Sequence, residues 1–529
     1  MSSFHKNFQL SYAPARTLAT TGEPGSNGGM TSLSRGRAAT IGLLAAGSAL
    51  AAGHLVAGFA DPRTAPPVAV GGAFIDLVPP GVKELAVAVF GTADKRALIV
   101  GMALVIAALA VVAGLSSRRS ALPGALLIGA FGLVGVMAAL SRPERGPLPS
   151  LVAGAVGVAV FAWLHRAGRA PVATEIDRRR FLATSGLVVV GAGLAGIGGS
   201  SLSKGAGVTA SREAVAGRLP KIPPPPIPAG ADFVADGTPT FLTANRDFYR
   251  IDTALVVPQL RAENWRLRLH GMVDRELDLS FTDLINRRLE ARTITLACVS
   301  NEVGGNLIST AHFVGVPVRD LLLEAGVRPG AQQLLTTSAD GYTAGTPVDL
   351  LLEPDRGALL AFEMNGEPLP AKHGFPVRMV VPGLYGYVSA TKWLVDAEVT
   401  TFDRRAYWQQ RGWAQHGPIK TQSRIDRPQR AAQVPAGAVT VAGIAWAQHT
   451  GIDAVQVRVD GGPWQTAELA TEVGRDTWRM WRARLDLPPG EHVVQCRAID
   501  RTGTPQTEAR QGVVPDGATG LHDTTFRCT

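Results

Sequence analysis

Cysteine is scarce: only Cys298, Cys496 and Cys528 occur in 529 residues. That excludes a disulfide-dense scaffold, and the absence of any cysteine cluster excludes iron–sulfur ligation. No CxxCH haem attachment site is present. No GxGxxG stands between a strand and a helix and there is no GxxxxGK[ST], so nicotinamide and ATP readings lack support. Aromatic residues are only 6% of a chain that is 46% hydrophobic. The apolar content is therefore mostly aliphatic, and the mean hydropathy of +0.13 is pulled upward by Ala/Val/Leu/Gly runs before residue 204.

Those runs predict membrane spans. Residues 97–115, 121–140 and 181–200 are uncharged and near the length a helix needs to cross the hydrocarbon core; 38–60 and 148–164 are a fourth and fifth candidate. The stretch 68–92 is interrupted by Asp76, Pro79, Pro80, Lys83 and Glu84, which favours an interfacial or re-entrant piece. With five spans, Lys6, Arg16, Arg35, Arg37, Arg118, Arg119, Arg166, Arg169, Arg178, Arg179 and Arg180 fall on one face, which the positive-inside rule makes cytoplasmic. Arg63, Lys83, Lys95, Arg96, Arg142 and Arg145 in the outer loops blur that bias. The rest of the chain then lies outside the cell membrane. The formal charge of +9 comes partly from the cytoplasmic loops, so it supports lipid contact rather than nucleic-acid binding. Asp177-Arg178-Arg179-Arg180-Phe181-Leu182 before the last run looks like an internal twin-arginine signal; the alternative is an arginine cluster anchoring a span.

The expected boundaries follow the composition: a tail at 1–37, spans within 38–200, a Gly/Ser-rich then Pro-rich linker at 201–230, a mixed α+β domain at 231–430 and a β module at 431–529. The prolines at 220–228 predict an extended spacer that holds the following domain off the lipid. Val318-Arg319-Asp320-Leu321-Leu322-Leu323-Glu324-Ala325 is a helical patch. In residues 452–460, Val455, Val457 and Val459 share one face of a strand that turns at Gly461-Gly462-Pro463, and the repetition of such strands argues for a sandwich.

Cys298 is the chemically telling residue. It ends the β-prone run Thr293-Ile294-Thr295-Leu296-Ala297 and opens the loop Val299-Ser300-Asn301-Glu302-Val303-Gly304-Gly305. A lone strand cysteine is by itself more often a small buried hydrophobe. Downstream, His373-Gly374-Phe375-Pro376-Val377-Arg378-Met379-Val380-Val381-Pro382-Gly383 and Lys392-Trp393-Leu394 supply a planar fork of donors, a compact charge and a directional ring donor. Glycines around 374 and from 383 to 386 are expected to let the backbone approach a large anion.

The ordered set of Cys298, the HGFPxR run, VVPG and KWL resembles the sulfite oxidase family of molybdopterin-dependent oxidoreductases, over roughly residues 240 to 529. The resemblance implies a molybdenum–molybdopterin cofactor with Cys298 as the metal's thiolate ligand. It implies pterin contacts from Asn245, Tyr249 and Arg250 in the Asn-x-x-Phe-Tyr segment, from Ser338, and from His373, Arg378, Ala390, Thr391 and Lys392. It also implies three parts: an all-α transmembrane bundle, an α+β molybdopterin domain, and an immunoglobulin-like β-sandwich containing Trp464, Trp478 and Trp481 that serves dimerisation. Cys496 and Cys528 are left open as a disulfide or as two thiols.

Departures bear on the substrate. Sulfite oxidases follow the metal cysteine with Asn-Arg-Arg and carry an upstream Arg-Asn-His; here Asn301-Glu302-Val303 and Ile251-Asp252-Thr253 stand in those places. The lost arginines remove the field that attracts a dianion, which favours a neutral or larger small-molecule substrate. Trp413 stands where those enzymes place an active-site tyrosine. The expectation is oxygen-atom transfer to or from a small sulfur or nitrogen compound, with a cytochrome or quinone-linked protein as electron partner, because His54 and His165 read as too far apart for a bis-histidine haem. The competing expectation is a non-catalytic envelope protein that keeps the fold for partner binding.

Overall fold

In the computed structural model the described residues are 32–79, 82, 94–142, 146–169, 175–202 and 206–529. Helices α1 (Arg35–Phe59), α2 (Pro66–Leu77), α3 (Asp94–Ser116), α4 (Leu122–Ser141), α5 (Leu148–Arg169) and α6 (Glu175–Leu202) form the N-terminal bundle. Four of them, Arg35–Phe59, Lys95–Ser116, Leu122–Ser141 and Leu148–Arg169, are long and apolar enough to cross a membrane. The described apolar part of α6, Ala183–Gly199, is shorter, and the arginine run 178–180 lies outside the residues whose side chains are described. At 12 residues, or about 18 Å, α2 is too short to span. Small residues set the packing: a Cβ at Gly42 would lie 1.9 Å from the Ala110 carbonyl oxygen, and one at Gly114 2.0 Å from that of Ala38. The α1 and α3 backbones therefore touch, which only glycine permits there.

The expected spacer is not a spacer. Residues 206–216 form helix α7 (Ala206–Ala216), whose Val208 and Val215 are buried in the core of the next domain. Arg212 Nε donates to the Leu369 carbonyl at 2.8 Å, and Ser211 Oγ donates to Glu263 Oε2 at 2.6 Å. Ile222 and Ile227 in the proline stretch pack on the same core. The central region is seated on the bundle rather than held away from it. Lys95 Nζ donates to Asp252 Oδ1 at 2.8 Å and to the Ala254 carbonyl at 2.7 Å, Arg63 donates to the Ala339 carbonyl, and Asp76 accepts from Tyr407 Oη at 3.1 Å. Arg142 holds Asp76 at 2.6 Å. Three of the cations that blur the loop-charge bias thus serve the joint between the two parts.

The central region carries strands β1 (Arg266–Gly271), β2 (Leu277–Ser280), β3 (Glu290–Ala297), β4 (Ile308–Pro317), β5 (Gln333–Ser338), β6 (Thr343–Pro347), β7 (Leu359–Met364), β8 (Glu367–Pro368), β9 (Arg378–Val380) and β10 (Leu394–Thr400). They form one mixed and one antiparallel sheet. One has the order β2-β1-β10-β5-β6, with β1 and β10 parallel; the other has β3-β4-β7-β8, with β9 on β7. Short helices α8 (Phe281–Ile285), α9 (Val318–Ala325), α10 (Val348–Leu352) and α11 (Gly386–Ser389) fill between them. The expected patch at 318–325 is α9, which buries Val318, Leu321, Leu322 and Ala325.

The C-terminal strands are β11 (Gln422–Arg427), β12 (Gln433–Val434), β13 (Gly437–Trp446), β14 (Ile452–Val459), β15 (Gln465–Thr466), β16 (Glu468–Leu469), β17 (Arg479–Leu487), β18 (Gly490–Asp500) and β19 (His522–Cys528). Two sheets, β11-β13-β17-β16 and β12-β19-β18-β14-β15, share one core around Trp481. A strand of the sandwich, β11, already precedes residue 431. Cys496 and Cys528 are free thiols. In the β18/β19 ladder Cys496 pairs with His522 while Cys528 pairs with Gly490, so six register positions, about 20 Å, separate them and no bridge can form.

The three tryptophans expected in the sandwich do different things. Trp481 fills its core, Trp464 is sandwiched by Arg458 and Arg497 at 4.4 and 4.3 Å, and Trp478 belongs to the core of the central region. Its indole donates to the Phe241 carbonyl at 3.0 Å, and its backbone N–H reaches Thr295 Oγ1 on β3 at 2.8 Å. We expect Trp478→Ala to remove about 3–5 kcal/mol, read as a lower denaturation midpoint of the full chain in detergent; a variant with the parental midpoint would show that the two regions are not coupled through this ring.

Candidate active site

Strand β3 delivers Cys298 to a pocket at its C-terminal end. Thr295, Leu296 and Ala297 are buried, so the strand is anchored up to the thiol. The Cys298 amide donates to the Leu307 carbonyl at 2.9 Å, and the Asn301 side chain closes the loop by accepting from the Leu307 amide at 2.8 Å. The thiol is 9% exposed and faces a pocket lined by Tyr249, Ser338, Arg378, Ala390 and Lys392, all sequence candidates. Burial pushes the Cys298 thiol up from its ordinary value, opposed by hydrogen bonding to Ser300 and by the charge of Lys392.

Four candidates stand behind that lining. Asn245 turns its side chain to the Met364 carbonyl at 3.1 Å and to Glu367 at 2.6 Å, while its own carbonyl accepts from His373 Nε2 at 3.0 Å. Thr391 shares a 2.7 Å hydrogen bond with Thr336. Arg250 is spent on Asp252 at 2.8 Å. His373 is 1% exposed; burial, then the charges of Arg378 and Lys392, hold its pKa down at about 3, so the ring is neutral. The glycines also divide. Gly386 lines the pocket, but a Cβ at Gly374 would meet Arg378 Cβ and Lys392 Cβ at 3.0 and 3.1 Å, and one at Gly383 would meet His449 Cβ at 2.9 Å. Those two glycines make room for the protein's own side chains, not for a ligand.

The electrostatics centre on Asp252. Burial alone would raise its carboxyl, but Lys392 at 3.0 Å, Lys95 at 2.8 Å and Arg250 hold it well below the usual carboxylate range. Burial pulls Lys392 down to about 8, against the stabilising charge of Asp252. Of the three positions where arginines were expected to be lost, only Ile251 lines the pocket; Glu302 and Val303 do not. Sequence reasoning missed Asp252 as a counter-charge, and missed Asp340, Tyr342, Tyr387 and Trp408 in the lining. Trp408 and Trp413 meet edge to face at 5.9 Å and wall the opening together. The clustered aromatics of 407–413 were the available signal.

The arrangement fits an anionic pterin with a thiolate-bound metal. Arg378 is 3% exposed; among the described residues its Nε has no hydrogen-bond partner, and its side chain donates to the His373 carbonyl at 3.3 Å. The buried His373 Nδ1 is also unpartnered. An orphaned buried donor on Arg378, in the lining beside the thiol, calls for a polar ligand.

Comparison with known proteins agrees. The oxidoreductase molybdopterin binding domain family matches residues 254–408. Mitochondrial sulfite oxidase of Macaca fascicularis is 32% identical over 316 residues, covering 50% of this chain and 57% of that protein. Sulfite oxidase of Gallus gallus is 31% identical over 319 residues, covering 51% of this chain and 69% of the relative. The chain belongs to the sulfite oxidase family. An uncharacterized oxidoreductase of Bacillus subtilis (strain 168), YuiH, is 34% identical over 154 residues, covering 29% of this chain and 74% of that one. This family member spans little more than half the length of the mammalian sulfite oxidase it matches. Its family carries a molybdenum–molybdopterin cofactor, and the pocket at Cys298 is where this chain has the donors for it.

We expect Cys298→Ser to lower bound molybdenum in purified full-length protein at least tenfold while the far-ultraviolet circular dichroism stays unchanged. Metal content equal to the parent would remove Cys298 from its role.

Proposed function

We propose that this chain is a membrane-anchored molybdenum oxidoreductase that moves an oxygen atom to or from a small, uncharged sulfur or nitrogen compound. The observation that carries the reading is the buried Cys298 beside Arg378 and Lys392, with Asp252 cancelling cationic charge at the pocket. When bound, the cofactor supplies two-electron oxo exchange. The chain's residues do the rest. Arg378 and Lys392 hold the pterin's anionic and carbonyl groups, and the neutral His373 backs Arg378 through its carbonyl oxygen. Trp408, Trp413 and Tyr387 exclude water and favour an apolar substrate body. A sulfite dianion would meet Asp252 and Asp340 rather than an arginine pair.

The four long helices support membrane anchorage, with the catalytic region on the outer side that the loop charges indicate. In that topology the internal arginine run reads as a twin-arginine export signal for a domain folded around its cofactor. The C-terminal sandwich reads as the immunoglobulin-like dimerisation module of this family.

The test is turnover of full-length, molybdenum-loaded protein with reduced and oxidised viologen or phenazine dyes against a neutral sulfoxide, a neutral N-oxide and sulfite. A neutral compound should give the highest kcat/KM; a strong preference for sulfite would overturn the charge argument. Asp252→Asn removes the counter-charge, so kcat/KM for sulfite relative to the neutral substrate should rise about tenfold, which corresponds to roughly 1.4 kcal/mol. An unchanged ratio would show that Asp252 does not set selectivity.

A further inference from the structure

The bundle encloses a cavity of about 540 Å³ between α1, α2, α3, α4 and α5, within the roughly 300–1,000 Å³ range of small-molecule sites. Its walls are aliphatic and aromatic side chains such as Leu50, Val70, Met102, Ile106 and Phe131. One lining residue breaks the pattern. Ser150, in the first turn of α5, is 1% exposed, and its Oγ has no hydrogen-bond partner among the described residues. A buried hydroxyl without a partner costs on the order of 1–3 kcal/mol, and helix-borne serines ordinarily recover it by bonding to backbone. This one faces the cavity instead.

The position of the hydroxyl is informative. Pro66, which opens α2, and the Pro149 carbonyl both crowd Gly53, so Ser150 sits at the end of the cavity where the bundle meets the catalytic region. There α2 is a thin partition. Val70 and Phe74 face the cavity, whereas Val68 and Gly72 face a crevice shared with Thr253, Leu255 and Asp340. A Cβ on Gly71 would lie 3.0 Å from Leu255 Cδ1 and 3.1 Å from Met102 Cε, so one glycine separates a catalytic-side residue from a cavity wall. Thr253 and Asp340 also line the Cys298 pocket. On the opposite side, Phe74, Val105 and Val134 line the cavity and are 52%, 58% and 51% exposed, which opens it sideways between α2, α3 and α4.

We propose that this cavity binds a prenylated quinone that exchanges electrons with the catalytic pocket. The inference rests on the reading of the helices as spans and of the chain as a molybdenum oxidoreductase. The ring carbonyl accepts from Ser150 Oγ at the catalytic end, and the prenyl tail leaves through the lateral opening into the bilayer. The hydrocarbon part of a lipid tail fits the walls but offers no acceptor to Ser150. The sequence has no haem attachment site and no cysteine cluster, so two electrons must come from outside the chain, and a carrier dissolved in the membrane reaches this cavity through its lateral opening. The balance closes for oxide reduction: the hydroquinone loses two electrons and two protons and becomes the quinone, while the oxide gains both and releases one water.

The test uses full-length holoenzyme in phosphatidylcholine nanodiscs with decylubiquinol as reductant and a neutral sulfoxide as acceptor, beside a dye-coupled assay that bypasses the bundle. Saturable decylubiquinol oxidation is expected. Ser150→Ala should weaken it about two- to tenfold, as loss of one hydrogen bond implies. Gly101→Phe, at a wall position with nothing within 4 Å of its Cβ, should abolish it by filling the space, with dye-coupled turnover unchanged in both variants. Normal dye turnover without decylubiquinol oxidation, or quinol kinetics identical in both variants, would overturn the site. Failure of the dye assay would instead strike the catalytic reading; calorimetric titration with decylubiquinone then still decides the cavity, since absence of saturable binding would assign it to lipid tails.

Discussion

One buried carboxylate ties this molecule together. Asp252 is 6% exposed at its side chain and takes Lys392 from the loop before β10, Lys95 from the start of α3 and Arg250 from its own segment. Removing one member of such a cluster leaves uncompensated charge in a poorly solvated place, which is why clusters of this kind fix relative positions even where their net contribution to stability is small. Here the positions fixed are those of the bundle, the pocket rim and Lys392 in the pocket lining. The same carboxylate sets a negative charge against the cations at the pocket.

A second constraint runs through β3. It is an edge strand of its sheet, pairing only with β4, and an unpaired edge is free to fray. The C-terminal module covers it: the Thr295 amide donates to the Asp476 carbonyl at 3.0 Å, Gln448 donates to the Thr295 carbonyl at 3.2 Å, and Trp478 closes over both. The strand that aims Cys298 is thereby clamped three residues before the thiol. The sandwich is part of the apparatus that positions the site, not an appendage to it.

The bundle, likewise, is more than an anchor in geometry. Arg63, Lys95 and Arg142 of the bundle touch Asp252, Ala339 and Asp340, all next to the pocket, and α2 lies between the cavity of the bundle and the crevice beside the pocket. A flexible proline spacer would have made such contacts transient. Helix α7 and the two isoleucines of the proline stretch dock it instead, because Val208, Val215, Ile222 and Ile227 recover apolar burial that a solvated linker would forgo.

Much of this was legible in the residues. Long uncharged runs can satisfy their backbone in lipid only as helices, alternation over 452–459 can bury only one strand face, and a thiol, a guanidinium and an ammonium in the HGFPxR–KWL order have few chemical uses together. What one-dimensional reading could not reach was pairing across distance. It gave Asp252 no role beside the lost arginine at Ile251, took Trp478 for a sandwich residue and the glycines at 374 and 383 for ligand-facing positions, since these roles are set by partners up to 237 residues away. The sequence determined the elements, the membrane-like segments and the donor set, because these follow from local periodicity and side-chain chemistry. The tertiary structure alone decided which donors face the pocket, which charges cancel there and how closely the bundle approaches it, because burial and Coulomb energy depend on distances in space.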